Sequence, residues 1–458
     1  MTKEFLWGGS TSAFQFEGGY NEGGKSTSTT DVRNTPEGIA DSKVASDHYH
    51  HVKEDIELMA NLGIKIYRFS FNWARVIKDD GSVNEKGIEF YNTIIDSCIE
   101  LGIEPFPTLY HFEMPQNLVD RFGGWKSRKC IDAFTDYAKA CFLNFGDRVK
   151  RWGTINEQLI VSAASDLNGN KENNSQQKII DMYTMSYHMS VAEKKVIKLF
   201  RELIPQGRIG PVCTMQIAYP QTSKPEDMIA AANAEDFLMY MFLDMSVYGT
   251  YPKSVQNYLK DLGLFYPLEK DKELLESNTS DFIGLNYYTS TCIKAKPDEF
   301  DDSKLPPFYR NSFFTLGENK ELKKTKWMEY GIDPMGLYLG VRKLYEKYRL
   351  PMIITENGYA MSEKLDNGKI HDIQRISYLD EHIRICEKLV EEGYPLEGYC
   401  PWSLFDLVSS HQGFSKRYGL IYIDRTDQDV KECKRIPKDS YYWYQKIIKN
   451  NGIIEENI

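Results

Sequence analysis

Two segments decide the expected fold: Trp152-Gly153-Thr154-Ile155-Asn156-Glu157 and Pro351-Met352-Ile353-Ile354-Thr355-Glu356-Asn357-Gly358. Each is a short, largely apolar run that leads into a glutamate. Such a run is typical of a buried parallel strand, and the polar residue at its end lies where the strand opens into a loop. Two carboxylates held in this way are what cleavage of a glycosidic bond requires. The two segments therefore predict a glycosidase.

Apolar runs of this kind recur along the whole chain, and helical patterns lie between them. This alternation is typical of repeated βα units, and eight such units close most simply into a barrel. We therefore predict an α/β fold, a single (β/α)8 TIM barrel with extended βα loops, in one glycosidase domain that comprises residues 1–458. The predicted strands are Phe5–Gly9, Ile64–Ser70, Ile103–His111, Val149–Glu157, Arg208–Met215, Phe282–Tyr288, Pro351–Asn357 and Leu396–Trp402.

The segments between the strands are of two kinds. Apolar residues recur at three- or four-residue steps over Asn84–Gly102 and Asp372–Gly393, so each of these segments predicts a helix with one buried face. The segments Ser165–Gln177 and Lys294–Lys326 lack such periodicity. Long loops in a compact domain are usually functional, and in this barrel both would follow strand ends on the face that carries the chemistry.

The composition excludes several classes of function. The formal net charge of -10 argues against a nucleic-acid partner, which calls for a basic surface. No apolar stretch is long enough to cross a bilayer, and the chain starts without a charged and then apolar leader, so we expect neither membrane association nor export. The 8 cysteines are scattered without Cys-x-x-Cys spacing, which favours reduced thiols in the cytoplasm.

Patterns that could indicate a metal or cofactor are given structural interpretations. His48, His50 and His51 open the helix that runs to Leu62, but only His48 and His51 share a face, and no Asp or Cys follows at metal-ligand spacing. The glycine-rich start of the chain lacks the strand-turn-helix frame of a dinucleotide site. We therefore predict neither a metal nor a cofactor. The charged run Lys431–Arg435 is predicted to be a solvated loop.

The two glutamates carry more weight as a pair than singly. A retaining glycosidase needs a nucleophilic carboxylate and a protonated acid whose carboxyl groups are about 5 Å apart. Glu157 and Glu356 are distant in sequence, but the fourth and seventh strands of a barrel can direct both at one central site. Each also lies beside an asparagine, Asn156 or Asn357, that can bond a hydroxyl or orient a carboxylate. A single glutamate at a strand end would fit a solvated loop residue equally well.

Further motifs at the strand ends resemble those of glycoside hydrolase family 1, and the resemblance extends over almost the whole chain. They are Ser12–Gly18, Tyr67–Ser70, Thr108–His111 and Pro401–Leu404. The resemblance implies that Glu157 is the general acid/base and that Glu356 attacks the anomeric carbon, with Arg68 keeping Glu356 ionised. It also implies that substrate is bound by Gln15, His111, Asn156, Tyr288 and Trp402.

One position departs from the family pattern. The family usually has Pro after the acid/base glutamate, whereas this chain has Gln158. Several phospho-sugar members of the family also lack that proline. We therefore interpret the change as a mark of a subfamily, since the catalytic carboxylate itself is present.

The segment Asp406–Gly419 narrows the expected substrate. Ordinary β-glucosidases of the family have a glutamate where this chain has Ser409, and a carboxylate there would repel a sugar phosphate. Ser409, Lys416 and Tyr418 together resemble the phosphate-binding set of the 6-phospho-β-glycosidases, since a hydroxyl, an ammonium and a phenol offer a dianion charge-assisted bonds. The small Ser410 favours glucose over galactose, because galactoside members usually have Trp there. Taken singly, these residues also fit ordinary loop and packing positions.

The sequence thus predicts a retaining 6-phospho-β-glucosidase that cleaves phosphorylated cellobiose-like or aryl β-glucosides by double displacement. A β-glucosidase, a transglycosylase and a 6-phospho-β-galactosidase on the same frame are alternatives, and a non-catalytic sugar-phosphate binder is the alternative outside enzymes. By family resemblance, Tyr330 or Trp327 would form an aromatic wall at the mouth of the cleft. The expected partner is a small-molecule phosphorylated β-glucoside, and a homo-oligomer is compatible with the sequence.

Overall fold

The computed structural model describes residues 1–164, 172 and 174–453. Most of the predicted loop Ser165–Gln177 lies outside the described residues. The sequence predicts no helix in this segment, but the helix Ser175–Leu203 begins within it. The physical reason is a local cap, because the side-chain oxygen of Asn174 accepts a hydrogen bond from the Gln177 backbone N–H at 3.0 Å.

Eight parallel strands form a closed barrel in which the strands follow one another in chain order and the last pairs with the first. They are β1 (Leu6–Ser10), β2 (Ile66–Ser70), β3 (Glu104–Tyr110), β4 (Arg151–Asn156), β5 (Arg208–Thr214), β6 (Ile283–Asn286), β7 (Met352–Asn357) and β8 (Leu396–Pro401). The predicted TIM barrel is confirmed, and all eight strands lie where the apolar runs place them. That residues 1–458 form a single domain stays a prediction.

Helices connect the strands. The main helices after β1 to β8 are His48–Leu62, Glu85–Glu100, Lys129–Phe145, Ser175–Leu203, Met241–Tyr248, Pro334–Tyr348, Ile373–Glu391 and Asp439–Asn450. The other helical segments are Ala13–Phe16, Trp73–Val76, Gln116–Phe122, Gly124–Lys126, Gln158–Ala163, Pro225–Glu235, Asp236–Tyr240, Lys253–Asp261, Glu269–Asp271, Lys272–Ser277 and Pro307–Tyr309. The two helices predicted from apolar periodicity are present at Glu85–Glu100 and Ile373–Glu391. No helix among the described residues is both long enough and apolar enough to cross a membrane.

A small sheet lies outside the barrel. It consists of Ala218–Pro220, Thr291–Ala295 and Phe314–Leu316, with the central strand pairing with the other two. The segment Lys294–Lys326, predicted to lack regular structure, therefore contributes to two strands. Sequence periodicity could not find them, because the pairing of Ile293 with Leu316 joins short pieces that are distant in the chain.

The run Lys431–Arg435 also differs from the prediction of a solvated loop. Its last two residues begin the strand Lys434–Pro437, which pairs antiparallel with Ile421–Asp424. Arg435 is buried because its guanidinium donates to both carboxylate oxygens of Asp55, at 2.7 and 2.9 Å. Asp55 in turn bonds the ring of His48 at 2.7 Å, which gives that histidine a structural partner.

The amino-terminal end of the barrel is closed by side chains. Inside it, Ile66, Phe106, Phe282, Ile353 and Cys400 form a fully buried apolar cluster. At the strand starts, Arg151 forms ion pairs with Glu104 at 2.9 Å and Glu397 at 2.8 Å, and Arg208 reaches the same Glu397. The filled end leaves the carboxyl ends of the strands as the face on which a ligand site can form.

Candidate active site

A cavity of about 230 Å³ opens at the carboxyl ends of the barrel strands. Its walls bring together residues from the loops after β1, β3, β4, β6 and β8 and one residue of β7 itself. They are Gln15, His111, Phe112, Glu157, Tyr288, Glu356, Trp402, Ser409, Ser410, His411, Gln412, Lys416 and Tyr418. The structure therefore places nine of the predicted catalytic and substrate-binding residues, together with Ser410, around one space, and Arg68 and Asn156 lie directly behind it.

Glu356 is held at the floor of this cavity by two donors. It is the fifth residue of β7 and is only 4% exposed. The Arg68 guanidinium donates to Oε1 at 2.5 Å, and the Tyr288 hydroxyl donates to Oε2 at 2.6 Å. Burial raises the pKa of Glu356, and Arg68 and Tyr288 act in the opposite direction. The two donors thus favour an ionised carboxylate with one defined orientation.

Arg68 is itself held by a fully buried frame. Its Nε donates to Thr108 Oγ1 at 3.0 Å, and its Nη2 donates to Asn156 Oδ1 at 2.7 Å. The Asn156 amide nitrogen lies 3.2 Å from His111 Nε2. Burial and the Arg68 charge lower the pKa of His111 well below its usual range, so the ring is neutral. Neutral His111 and Asn156 suit hydroxyl groups better than a charged ligand group.

Glu157 has a different environment. It follows β4 directly and has left-handed backbone angles of φ 44° and ψ 58°. The Asn286 side-chain amide donates to Oε1 of Glu157 at 3.0 Å and also to Asn156 Oδ1 at 3.0 Å. Burial and the nearby Glu356 charge raise the pKa of Glu157 to about 7. Glu157 can therefore hold a proton near neutral pH, while Glu356 has Arg68 as a direct counter-ion.

Trp402 and Gln15, both predicted to contact the sugar, also line the cavity. The Trp402 ring lies nearly parallel to the His111 ring, with centroids 5.9 Å apart. Gln15 is fixed at both ends of its amide, since it accepts from Ser12 Oγ at 2.7 Å and donates to the Val408 carbonyl oxygen at 2.8 Å. The approach of Trp402 requires Gly358, because a Cβ there would lie 1.8 Å from the Trp402 carbonyl oxygen.

The three residues proposed for phosphate line the same cavity on the side formed by the segment after β8. Ser409 donates to Gln412 Oε1 at 3.0 Å, and its backbone pairs with Gly413 in a tight turn. The Lys416 ammonium lies 5.4 Å from the Tyr418 ring centroid and 5.5 Å from that of Trp327. Burial lowers the pKa of Lys416 and raises the pKa of Tyr418, so Tyr418 is a neutral phenol. Ser409 leaves this side without the family's usual carboxylate.

A buried ionic network supports that side from behind. Arg417, between Lys416 and Tyr418, donates to Asp406 at 2.7 Å, and Lys438 bridges Asp406 at 2.7 Å and Glu363 at 2.5 Å. Buried charges of this kind require paired partners and leave little freedom to the backbone that carries them. Because Lys438 binds both Asp406, after β8, and Glu363, after β7, the network holds the two loops in a defined relative position.

Sequence reasoning missed several residues of the site. Asn286 is the most important, because it bonds both Asn156 and Glu157. The available signal was a polar residue at the end of the apolar run Phe282–Tyr288, the same signal that identified Glu157. Gln412, Phe112 and His411 also line the cavity, and no periodicity marks them. Tyr330, proposed for the aromatic wall, is 46% exposed, whereas Trp327 lies against Lys416.

Comparison with known proteins agrees with this geometry. The model of Glycosyl hydrolase family 1 matches residues 1–453. The chain belongs to this family. It is therefore a glycoside hydrolase, and the family resemblance seen in the sequence motifs is confirmed.

Relatives of this family 1 enzyme include two curated bacterial proteins. An aryl-phospho-beta-D-glucosidase, BglC of Bacillus subtilis (strain 168), is 38% identical, and the match covers 98% of this chain and 97% of the relative. The 6-phospho-beta-glucosidase AscB of Escherichia coli (strain K12) is 35% identical with 98% of each chain covered. Among solved structures, the family 1 b-glucosidase from Thermotoga maritima superposes with a TM-score of 0.89 at 35% identity, with 99% of each chain covered.

Proposed function

We propose that this family 1 enzyme is a retaining 6-phospho-β-glucosidase. The observation that carries the proposal is one cavity that is lined both by Glu157 and Glu356 and by Ser409, Lys416 and Tyr418. The first two residues supply the chemistry, and the last three select a phosphate at O6. The substrate class is phosphorylated cellobiose-like or aryl β-glucosides.

The first half of the reaction transfers the sugar to the enzyme. A Glu356 oxygen attacks the anomeric carbon while the bond to the leaving oxygen breaks, and Glu157 gives its proton to that oxygen. The products are a glycosyl ester on Glu356, an alcohol or phenol, and an ionised Glu157. The contrasting environments of the two carboxyl groups support this division of roles, because Arg68 favours the charged form of Glu356 and the pKa of Glu157 is about 7.

The second half releases the sugar. Ionised Glu157 takes a proton from a water molecule, the water oxygen attacks the anomeric carbon, and Glu356 leaves as a carboxylate. Two inversions give net retention. Tyr288 holds Glu356 in place through its 2.6 Å hydrogen bond, and Trp402, His111, Asn156 and Gln15 would orient the sugar hydroxyls and ring.

Phosphate selectivity would come from charge and donors on the loop after β8. Lys416 supplies a positive charge, and Ser409 and Tyr418 supply hydroxyl donors, which form strong bonds to a dianion. A glutamate in place of Ser409 would bring a like charge beside the phosphate and would favour unphosphorylated glucosides instead. The phospho-β-glucosidases among the relatives support the phosphorylated substrate, and small Ser410 supports glucose.

The proposed location is the cytoplasm, where phosphorylated sugars occur after uptake. Each of the eight cysteines is a free thiol in the structure, which is compatible with a reducing compartment. The substrate would be the small-molecule partner.

A direct comparison of two chromogenic substrates tests the proposal. The kcat/KM of the purified enzyme is measured with an aryl β-glucoside and with the same compound phosphorylated at O6. We expect the kcat/KM of the phosphorylated substrate to be higher, on the order of 10²-fold or more. The reason is that only this substrate forms the two to three charge-assisted bonds to the phosphate. An equal or higher kcat/KM for the unphosphorylated compound would instead identify a plain β-glucosidase. The matching galactoside 6-phosphate tests the preference for glucose in the same assay.

A further inference from the structure

Gln158, the residue directly after Glu157, joins the backbone turn at Glu157 to the helix Ser175–Leu203. Its side-chain amide nitrogen donates to the Ser186 carbonyl oxygen at 2.6 Å and lies 3.1 Å from Ser186 Oγ and 3.0 Å from Ser190 Oγ. Gln158 is 9% exposed, and it does not line the active-site cavity. Three acceptors around one buried nitrogen leave this side chain little rotational freedom.

The turn at Glu157 needs such support. Glu157 has a left-handed backbone conformation, which is unfavourable for a residue with a Cβ. The helix that follows, Gln158–Ala163, has 6 residues and is too short to be stable without tertiary contacts. On the other side, the Glu157 backbone N–H donates to the Val212 carbonyl oxygen at 2.8 Å. Gln158 thus adds a hydrogen-bonded anchor on the carboxyl side of this turn, beside the buried apolar side chains of Leu159 and Val161.

We propose that Gln158 is a positioning residue for the acid/base: its bonds to Ser186 and Ser190 set the turn so that the Glu157 carboxyl meets the leaving oxygen. The inference rests on the assignment of Glu157 as acid/base under the proposed function. Proton transfer requires donor and acceptor within hydrogen-bond reach, and a displacement of about 1 Å can cost on the order of 10²-fold in rate. Loss of the anchor should therefore harm proton donation first.

The dependence on the leaving group separates this role from general support of the fold. A poor leaving group, such as unsubstituted phenol, departs only when it receives a proton, whereas dinitrophenol departs readily as its anion. A misplaced Glu157 therefore slows glycosyl transfer from the phenyl substrate much more than from the dinitrophenyl substrate. A merely unstable enzyme loses the same fraction of activity with every substrate.

The experiment measures kcat/KM of Gln158→Met with a series of aryl β-glucosides of increasing phenol pKa, in whichever form, phosphorylated or not, the wild type prefers. Met keeps most of the side-chain volume and removes the amide. We expect a fall on the order of 10-fold or more for the phenyl substrate and less than about threefold for the dinitrophenyl substrate. A uniform fall across the series, or no change, would overturn the proposal.

Two further variants make the outcome decisive. Gln256→Met is the matched control, because Gln256 also donates to a backbone oxygen, that of Tyr251 at 2.7 Å, but lies outside the active site. We expect it to leave the leaving-group dependence unchanged. Glu157→Gln should show the same dependence as Gln158→Met in stronger form. If Glu157→Gln lacks it, the acid/base assignment fails rather than the role of Gln158.

A milder substitution covers the case in which Gln158→Met does not fold. Ser190→Ala removes one of the acceptors at 3.0 Å and leaves the Ser186 contacts in place. We expect a smaller change in the same direction, with the phenyl substrate affected more than the dinitrophenyl substrate. Equal effects on both substrates would contradict the proposal.

Discussion

Two parts of the active site are built in different ways. One part is the catalytic floor, defined as Arg68, Asn156, Glu157, Asn286, Tyr288 and Glu356. Its residues lie in the barrel strands or within two residues after them, and short hydrogen bonds join them. The other part is the phosphate loop, residues 406–419. It contains no helix or strand, only isolated bridges from Ser409 to Gly413 and from Arg417 to Met361, and it is supported by the buried charges of Asp406, Arg417 and Lys438.

This difference in construction suits a division of roles in which the catalytic floor carries out the reaction and the phosphate loop selects the substrate. A frame carried by strands holds the two carboxyl groups in fixed positions for any β-glycoside, whereas a loop can exchange a few residues and change the accepted sugar without moving the frame. Under the proposed function, we expect that the phosphate loop can be altered without loss of the chemistry and that the catalytic floor cannot. The predictions below test this separation.

The largest effect is expected from Glu356→Gln. The amide cannot form the glycosyl ester, so kcat should fall at least about 10⁴-fold with every substrate, phosphorylated or not. The measurement is steady-state hydrolysis, with far-UV circular dichroism to show that the fold is kept. Glu381→Gln, on the exposed side of the helix Ile373–Glu391, serves as the control of equal charge change. A residual rate above about 1% of wild type would place the nucleophile elsewhere.

A selectivity change is expected from Ser409→Glu. The new carboxylate faces the phosphate and removes a donor, so the ratio of kcat/KM for phosphorylated over unphosphorylated substrate should fall on the order of 10³-fold. Ser415→Glu adds the same charge to the exposed side of the same loop, where Ser415 does not line the cavity. If both variants change the ratio equally, Ser409 has no special role.

A smaller effect on the same ratio is expected from Lys416→Met. Loss of one charge-assisted bond of about 1.5–3 kcal/mol corresponds to roughly 10- to 150-fold in kcat/KM for the phosphorylated substrate. The unphosphorylated substrate should be nearly unaffected. Lys326→Met is a matched control, since the Lys326 ammonium also lies over the Trp327 ring, at 4.3 Å, but outside the cavity lining. An equal loss with both substrates would contradict a phosphate contact.

The smallest effect is a shift in pH dependence on the catalytic floor. As the general acid, Glu157 must be protonated, and its pKa is about 7. On the alkaline limb of the pH profile, kcat/KM should therefore be constant below pH 7 and fall about tenfold per pH unit above it. The Asn286 bond lowers the pKa of Glu157, so Asn286→Ala should move this limb to higher pH. The pH profiles of kcat/KM of the wild type and of Asn286→Ala check this prediction. A limb that moves to lower pH, or is absent, would contradict the assignment.

The sequence predicts some parts of the molecule far better than others. The eight strands, and Glu157 and Glu356 at the ends of two of them, follow from local patterns of apolar residues. Asn286 could not be assigned a role in this way, because its importance depends on its contacts with Asn156, the last residue of β4, and with Glu157, the residue after it. Arg435 looked solvated for the same reason, since its partner Asp55 is 380 positions away. Contacts over such separations leave no periodic signal.

Trapping of the glycosyl ester tests the central claim most directly. The enzyme is incubated with a 2-deoxy-2-fluoro-β-glucoside that has a good leaving group, in forms with and without phosphate at O6, and labelled peptides are identified by mass spectrometry. We predict rapid labelling at Glu356 by the phosphorylated compound and much slower labelling by the other. A label on any other residue, or faster labelling by the unphosphorylated compound, would contradict the account.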